Sequence, residues 1–481
     1  MVQCQNTLSK CQKKTENVSE SCGILIDKNY SVQCELGSLT TNGHKLKVDA
    51  QIVYDSTESF FEQTGPREAF KSNLLRELML QLAPAVSFRN CTNILNRVRR
   101  ADSGIIETTF RNSVEREGTS IQCCVEEKAA VAIDREGFVV DGNNVVTWKE
   151  TGENVVQGDF DSNPVHIDAE LVHAAAKRLK LEEGSYDPSD YERFGANISS
   201  DEVGVKRQTE SRPCEDGKSQ PKRVENTVIH IEMANETDDP KIASSSSYIL
   251  NGSSVSAAFR LLFGFLCMNG MLGNTLVFFA DGAKNLNNAI AAMFSFANIK
   301  IILDWYHLRK KMEETLSTIC NNRFYRNEML QKAMPLLWRG NVVEAIATLK
   351  SIDMDMVKDK KTLNYLMGYL ERVRANIPNY MLRAELGLRN SSNCGEKAND
   401  LIVSNRQKHN GMSWSDNGST TLASVSAILH NGELDSWINT GTLTMKLVQR
   451  TTPKRSRRNR SRTAAAYENR PVKPKKADVA A

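Results

Sequence analysis

The sequence has little of what marks membrane, fibrous and low-complexity chains. Among its 481 residues are 27 glycines and 12 prolines, too few for a collagen-like or low-complexity protein. The most apolar stretch is 261–280, but two asparagines and two glycines between Met268 and Thr275 interrupt it. A membrane-spanning helix needs about 20 continuous apolar residues. We therefore expect a buried helix, a turn and a buried strand here, and no membrane as a partner.

A secretion signal and a disulfide framework are also missing. Residues 1–10 contain neither a basic leader nor an apolar segment, so no signal peptide is expected. The cysteines number eleven, an odd count, and their spacings form no framework, which favours a reducing compartment. Four of them crowd the N-terminal region without the spacing of about two to four residues that zinc sites use; these are Cys4, Cys11, Cys22 and Cys34.

An overall excess of charge is absent, because 62 basic residues face 58 acidic ones for a net charge of +4. The balance is uneven along the chain. Residues 451–481 carry ten basic and two acidic side chains, a net +8, which leaves −4 for the rest. Such a tail favours contact with a polyanion, and a solvated, disordered terminus is the alternative. Its candidate DNA contacts are Arg455, Arg457 and Arg458.

Two short helical patterns joined by a glycine-containing turn precede the middle of the chain. Ser87 is expected to cap the first, 87–100, and Gly118 to end the second, 105–117. This is the shape of a helix-turn-helix, whose second helix presents side chains to a DNA groove. An ordinary αα-hairpin is the alternative. The outward side chains of the second helix are Thr108, Thr109, Arg111 and Asn112.

Residues 196–305 alternate between strand-like and helix-like patterns. Three strands, a helix, a strand, a helix and a strand are predicted at 197–205, 224–233, 246–250, 253–267, 275–280, 285–296 and 300–304. Residues 308–388 are almost wholly helical in pattern, and 396–409 form a further helix. The order predicts an α/β (α+β) multidomain protein with a mixed sheet. Upstream, 125–190 has the pattern of a mixed connector, with strands at 129–134 and 137–141 and a helix at 168–181.

Three carboxylates lie where such a sheet would bring them together. Asp201 is in the first predicted strand, Asp281 directly follows an apolar strand, and Glu396 begins a helix. Converging carboxylates repel one another unless a cation neutralises them. Oxygen-only ligands suit Mg²⁺ or Mn²⁺, and two such ions about 3.5–4 Å apart support in-line phosphoryl displacement. The alternative is three structural roles, as a turn residue, a helix N-cap and a first-turn acid.

Asp304 and His307 follow the last predicted strand of this region. A carboxylate and an imidazole three residues apart can bind a metal, or they can hold each other at the junction of strand and helix. Both interpretations stay open at this point.

Three segments carry a resemblance to a known family. They are 279–286 (FADGAKNL), 302–311 (ILDWYHLRKK), and Gly395-Glu396 leading to 406–415 (RQKHNGMSWS). These residues resemble DDE transposases of bacterial insertion sequences related to the Mutator-like group. Residues 87–118 are similar to that family's N-terminal helix-turn-helix. The resemblance covers about residues 87–430, and the block from 279 to 311 is its most specific part.

The resemblance implies an RNase H-like core with a helical insertion before the final acid. It implies that Asp201, Asp281 and Glu396 are catalytic and bind two Mg²⁺ (or Mn²⁺) ions, and it makes Asp304-x-x-His307 a signature whose role is uncertain. Asp134 is a rival for the first acid, although it lies 147 residues before Asp281. Lys206 and Arg207, beside the first acid, are candidate DNA contacts.

The implied function is a transposase that binds the inverted repeats at the ends of its element and joins them to target DNA. A homodimer or higher oligomer in the bacterial cytoplasm, associated with the nucleoid, is expected. A nuclease without strand transfer and a catalytically silent DNA-binding descendant are the alternatives. The expected regions are 1–65 of unknown role, a helix-turn-helix domain at 66–122, a connector at 123–190, a catalytic domain at 191–435 with a helical insertion at about 308–390, and a disordered basic tail at 436–481.

Overall fold

The computed structural model describes residues 24–35, 37–48, 51–55, 70–99, 104–159, 166–192, 195–208, 221–235, 242–282, 284–408 and 412–453. The N-terminal cysteines other than Cys34, and the predicted contacts Arg455, Arg457 and Arg458, lie outside these ranges. Two compact units are present. Unit 1 contains the described residues up to Gln122 together with Thr421–Thr444; unit 2 contains Cys123–Thr420 and the described residues from Met445.

The strands, in chain order, are β1 (Ile24–Cys34), β2 (Gly37–Val48), β3 (Gln51–Asp55), β4 (Phe70–Lys71), β5 (Phe138–Val140), β6 (Val146–Trp148), β7 (Ala196–Lys206), β8 (Arg223–Asn235), β9 (Ile242–Gly252), β10 (Leu276–Ala280), β11 (Ile299–Leu303) and β12 (Val448–Pro453).

The α-helices are α1 (Asn73–Leu82), α2 (Phe88–Arg99), α3 (Glu107–Arg135), α4 (Ala169–Arg178), α5 (Val255–Met268), α6 (Lys284–Phe294), α7 (Trp305–Ile319), α8 (Arg323–Trp338), α9 (Val342–Lys350), α10 (Lys360–Arg372), α11 (Tyr380–Glu385), α12 (Asn393–Asn399), α13 (Asn405–Gln407), α14 (Asp416–His430) and α15 (Leu434–Thr440). A π-helical segment, Asp400–Ser404, joins α12 to α13. Three short 3₁₀ turns lie at Pro188–Asp190, Met354–Met356 and Arg374–Asn376.

Unit 1 combines a four-stranded sheet, in the order β3-β2-β1-β4, with helices that include α1 and α2. Its helices are tied together by a buried ion pair, in which Arg76 Nε lies 2.7 Å from Glu117 Oε1. The indole of Trp437 donates a hydrogen bond of 2.9 Å to Glu117 Oε2. Burial acts to raise the pKa of Glu117, but the hydrogen bond and charge of Arg76, together with Trp437, outweigh burial and lower it. The glutamate is therefore held as a carboxylate.

Unit 2 is built around a mixed six-stranded sheet in the order β11-β10-β7-β8-β9-β12. β10 runs parallel to both β7 and β11, whereas the β7–β8, β8–β9 and β9–β12 pairs are antiparallel. All five residues of β10 are buried, as expected for a parallel strand covered on both faces. The mixed α/β class predicted from the sequence is confirmed.

Phenylalanines form the centre of the core beside this sheet. Phe278 of β10 lies 5.3 Å from Phe294 of α6, and Phe263 of α5 lies 5.9 Å from the same ring, measured between centroids. Nine consecutive or nearly consecutive side chains of α5 are buried, so this helix is apolar on most of its circumference. A second core fills the helical segment α7–α11 and extends to Leu303 at the end of β11.

Three predictions made from the pattern differ from the structure. Gly118 does not end a helix, because α3 continues to Arg135. A Cβ at Gly118 would lie 2.5 Å from the carbonyl oxygen of Thr421, so the glycine permits close packing. The strand predicted at 129–134 is instead the end of α3, where Ala129 packs against Gly264. Residues 448–453, assigned to the tail, form β12 at the edge of the sheet.

None of the helices within the described ranges is long and apolar enough to cross a membrane.

Candidate active site

The three neighbouring parallel strands β7, β10 and β11 place one aspartate each at the same level along the strand direction. This level is called the edge of the sheet below, and it lies where β10 and β11 end. β10 pairs with β7 at a constant offset of 80 residues, from Leu276 opposite Ala196 to Phe279 opposite Ser199. The same offset, continued for two residues, places Asp281 beside Asp201. β10 and β11 are offset by 23 residues up to Ala280 opposite Leu303, so Asp304 comes next, and its N–H donates to the Ala280 carbonyl at 2.8 Å.

Glu396 reaches this edge because α12 packs closely on β7. The residue before it, Gly395, is buried, and a Cβ there would lie 2.7 Å from the Cβ of Ser199. Ser199 and Asp201 are two residues apart on β7 and therefore share a face of the strand. A glycine at 395 thus allows the first turn of the helix to approach the strand that carries Asp201.

Asp201 receives its own partner from the same helix. The side-chain amide of Asn399, itself 5% exposed, donates a hydrogen bond to Asp201 Oδ2. Asn399 lies three residues after Glu396, a spacing that places both side chains on one face of a helix. The π-helical segment begins at the next residue. Single π turns inside α-helices are frequent at functional sites.

Asp304 is buried, at 1% exposure, and makes several hydrogen bonds. It caps α7 by accepting from the backbone N–H of His307 at 2.9 Å, and it accepts from both the backbone N–H and the hydroxyl of Ser392. Burial acts to raise the pKa of Asp304, but these contacts with His307 and Ser392 lower it. Asp304 therefore links β11 and α7 to the segment that precedes α12.

His307 stands between Asp304 and Glu396. Its Nδ1 lies 3.2 Å from Asp304 Oδ1 without a well-directed hydrogen bond, and its Nε2 lies 3.9 Å from Glu396 Oε1. The contact with Asp304 raises the pKa of His307 although burial opposes it, and the charges of Glu396 and Asp281 add to the rise. The imidazolium is thus stabilised by the surrounding acids.

The remaining acids disfavour one another's charge. Burial raises the pKa of Glu396, His307 opposes this, and the charges of Asp304 and Asp201 add to the rise. Burial also raises the pKa of Glu202, with further contributions from Glu225, Asp281 and Asp201. Within the described ranges, no lysine or arginine lies at ion-pair distance from Asp201 or Glu396. Negative charge accumulates at this edge of the sheet.

Asp281 is exposed at the end of β10, and the turn that follows it favours a glycine. Gly282 has φ = +89°, a left-handed conformation that glycine adopts readily. A Cβ at this position would also lie 3.2 Å from the hydroxyl of Tyr369 on α10. Burial raises the pKa of Tyr369 to about 12; Arg372 opposes the rise and Asp281 adds to it. The phenol is therefore a neutral hydrogen-bond donor or acceptor near Asp281.

The donor set fits a hard divalent cation in its chemistry. Asp201, Asp281 and Glu396 offer only oxygen, which is the ligand type that Mg²⁺ and Mn²⁺ prefer. In the positions their side chains occupy, no three His, Cys, Asp or Glu groups of the described chain are close enough to hold one ion. Binding an ion would therefore require side-chain rotation, and Asp201 would exchange its contact with Asn399.

The predicted DNA contacts have different environments. Thr108, Thr109, Arg111 and Asn112 are exposed on α3 in unit 1, as predicted, with Phe110 and Val114 on the buried side. Ile106, which directly precedes α3, is 63% exposed. In unit 2, Lys206 is exposed, whereas the guanidinium of Arg207 pairs with Asp416 and is 19% exposed. Of this pair only Lys206 is available to a ligand.

Sequence reasoning missed Asn399, Ser392 and Tyr369. Asn399 could have been found from its spacing of three residues after Glu396. Ser392 and Tyr369 are separated from their partners by about 90 residues of helical chain, and the pattern carries no signal for such contacts.

Comparison of the chain with models of known protein families finds no match, and comparisons with curated proteins and with solved structures find none either. The function therefore has to be argued from the site itself.

Proposed function

We propose that the chain is a DDE-type DNA transposase with an RNase H-like catalytic core. It would bind the ends of its mobile element and carry out Mg²⁺-dependent phosphodiester cleavage and strand transfer. The observation that carries the proposal is the level placement of Asp201 and Asp281 on adjacent parallel strands, with Glu396 on a helix packed against the first of them.

The order of the elements also supports this core. Three antiparallel strands, a helix, a strand, a helix and a strand build a sheet in which β7, the first strand of the core, is central. A helical segment, α7–α11, separates the last parallel strand from the helix that bears Glu396. A helical insertion before the final acid is one of the features that the resemblance implies, and this order of elements supports it.

In the proposed mechanism, Asp201, Asp281 and Glu396 would hold two divalent ions. When bound, such ions activate a water or a 3′-hydroxyl and stabilise the leaving oxygen of an in-line displacement. Asn399 would hold the carboxylate of Asp201 at the site until an ion displaces this hydrogen bond, and Asp281 precedes the left-handed turn at Gly282. His307, when protonated, would place a positive charge beside Glu396. Two DNA ends must be held together, so a dimer or larger assembly belongs to the proposal.

The exposed side chains of α3 fit a second part of the proposal. Thr108, Thr109, Arg111 and Asn112 would read base edges of the terminal repeats as the second helix of a helix-turn-helix. This helix follows α2 after a short connection, as that motif requires, although at 29 residues it is long for it.

The test uses the full chain and a labelled DNA fragment that contains the sequences flanking its gene. With Mg²⁺ we expect strand cleavage that EDTA abolishes, and joining of pre-cut 3′-ends to a second DNA. Asp281→Asn should reduce cleavage by about 10³-fold, the upper range for loss of one group that stabilises developing charge. Asp355→Asn, at an exposed acid in a 3₁₀ turn of the helical segment, is the matched control and should leave cleavage unchanged.

Each alternative has a distinct outcome. Cleavage without joined product would indicate a nuclease that lacks strand transfer. Specific binding to the flanking DNA without any metal-dependent cleavage would indicate a silent DNA-binding descendant. Equal cleavage by Asp281→Asn and the unsubstituted chain would show that the acids are assigned wrongly.

A further inference from the structure

A cavity of about 490 Å³ lies where β7 ends and β8 begins, in unit 2. The described residues that line it include no carboxylate and four cationic side chains, namely Lys206, Lys222, Arg223 and Lys408. All four are exposed to solvent. A cavity lined in this way concentrates positive potential, and low-dielectric walls focus such a field toward an anion.

Two of the cations occupy directly opposed positions on neighbouring strands. Lys206 is paired directly with Arg223 in the antiparallel β7–β8 ladder. Like charges in directly opposed positions are destabilising. Lys222 comes one residue earlier, and its carbonyl oxygen accepts a hydrogen bond of 3.0 Å from the backbone of Arg207. Positive charge is therefore gathered here at a cost to folding that a bound anion would relieve.

The neighbouring side chains fix this surface without neutralising it. Gln407, the residue before Lys408, is 1% exposed. Its side-chain N–H donates to the Ser419 carbonyl at 3.0 Å, and its side-chain oxygen accepts from the Ser419 hydroxyl at 2.6 Å, which holds Gln407 in place. Arg207, which follows Lys206, is already paired with Asp416. Glu225 is opposite Gly204, and its carboxylate is beside the lining. Among the residues that the structure describes at this cavity, the cations of the lining outnumber this carboxylate four to one.

This cavity is separate from the acids proposed to be catalytic. Lys206 lies five residues beyond Asp201 on β7, a separation of about 16 Å at about 3.3 Å per residue. The alternation of the strand also places the two side chains on opposite faces. A ligand held by the cations does not have to contact the cleavage site.

We propose that this cavity binds consecutive phosphate groups, and that its occupant is the backbone of a nucleic-acid strand. Four cations around one cavity exceed what a single phosphate needs, and they suit a polymer with regularly spaced charge. The inference rests on the proposed function only for the identity of the DNA. Binding itself requires neither the acids nor a metal ion.

The test measures binding of a fluorescein-labelled 30-base-pair duplex by the full chain in EDTA, over a range of salt concentrations. The variant is Lys222→Ala/Lys408→Ala, and the control is Lys350→Ala/Lys360→Ala, which removes two exposed lysines from the helical segment with the same change in charge. Each phosphate contact contributes about −0.9 to the slope of log K against log salt for duplex DNA. The cavity variant should therefore lose about 1.8 from the slope, or about 60-fold in affinity at 0.1 M salt when binding at 1 M is unchanged.

The control should keep both the slope and the affinity of the unsubstituted chain. Equal slopes for the cavity variant and the control would overturn the proposal. A parallel arm uses inorganic tripolyphosphate as the probe. Saturable tripolyphosphate binding that needs Lys222 and Lys408, with an unchanged DNA slope, would assign the cavity to free polyphosphate and overturn the nucleic-acid occupant.

The substituted lysines are exposed, so we expect both variants to fold, and equal far-ultraviolet circular dichroism and melting midpoints check this. If the alanine variant does not fold, Lys222→Gln/Lys408→Gln replaces it. Absence of cleavage in the earlier assay would contradict the proposed function alone, because the slopes are measured without metal. An unchanged slope together with active cleavage would contradict the cavity alone.

Discussion

Glu117 in unit 1 and Glu396 in unit 2 have opposite electrostatic surroundings. In unit 1, Glu117 is surrounded by a guanidinium and an indole N–H, and its pKa is lowered. In unit 2, Glu396 has a raised pKa, and the groups that raise it after burial are other acids. Among the described residues, the basic side chain at ion-pair distance from Glu396 is that of His307, at 3.9 Å, and it is positive only when protonated.

Glu117 is therefore paired within the folded chain, whereas Glu396 lies among other acids and is a candidate to bind a ligand. An internally paired acid contributes to stability, and removing its partner leaves a buried charge without compensation. Acids that repel one another reduce stability unless a nearby positive charge offsets the repulsion. Substitutions in the two places should therefore have opposite consequences for stability and for activity.

The largest effect on stability is expected from breaking the pair in unit 1. Arg76→Met should lower the free energy of unfolding by about 3–5 kcal/mol, because Glu117 keeps its charge in a buried position. Arg89→Met, which removes an exposed ion pair with Glu107, should cost about 0–1 kcal/mol. Urea denaturation followed by circular dichroism measures both. Equal costs for the two variants would contradict the assignment of Glu117 to the fold.

A divalent cation should stabilise unit 2 by an amount that rises with the logarithm of its concentration. At 100 times its dissociation constant, Mg²⁺ should add about 2.7 kcal/mol to the free energy of unfolding. Glu396→Gln should abolish this gain while leaving the metal-free protein equally stable or slightly more stable, since repulsion is relieved. Differential scanning fluorimetry with a Mg²⁺ titration measures the shift. A gain that persists in Glu396→Gln would place the ion elsewhere.

Adding one methyl group at the helix–strand contact should have a smaller effect. Gly395→Ala should cost about 1–3 kcal/mol through overpacking against Ser199, and it should also reduce cleavage by displacing Glu396. Ser199→Gly in the same chain should restore part of both losses. In unit 1, Gly118→Ala meets a backbone carbonyl and has no such compensating partner. If Ser199→Gly restored nothing, the contact would not be what positions Glu396.

The smallest effect is the pH dependence from Glu117. Its pKa is lowered from a usual value of 4.5, so its contribution to stability is present above about pH 4.5 and is lost as the pH falls through the lower folded-state value. Glu117→Gln should flatten this part of the profile of unfolding free energy between pH 5 and pH 2. An unaltered profile in Glu117→Gln would show that other acids cause the loss.

Much of unit 2 was predictable because β10 and β11 are short apolar runs and because helical and strand patterns alternate around them. The seven elements predicted at 196–305 are all present, and the fully buried β10 is the clearest case. Local periodicity fails where one composition suits two structures. The apolar run 129–134 fits a buried strand or a helix equally well, and here it ends α3.

The sequence indicated a candidate set of acids, but it did not indicate how their side chains are placed relative to one another. Asp281 and Asp201 could be proposed from their places at strand ends, whereas their equal level follows from a register that only pairing reveals. The contacts of Gly118 and of Arg207 depend on residues far along the chain. Glycine ends helices and also permits close packing, and a single sequence does not distinguish these uses.

The bonds between Asp304 and Ser392 have a consequence for how this protein can change over evolution. They join the first and last residues of the helical segment between β11 and α12, and Trp305 N–H donates to the Asn390 carbonyl beside them at 3.1 Å. With both ends fixed, a longer or shorter connection within the segment adds only a slowly changing closure entropy, apart from the packing that it alters. The loops between its helices can therefore change in length while the acids at the ends of the strands keep their positions.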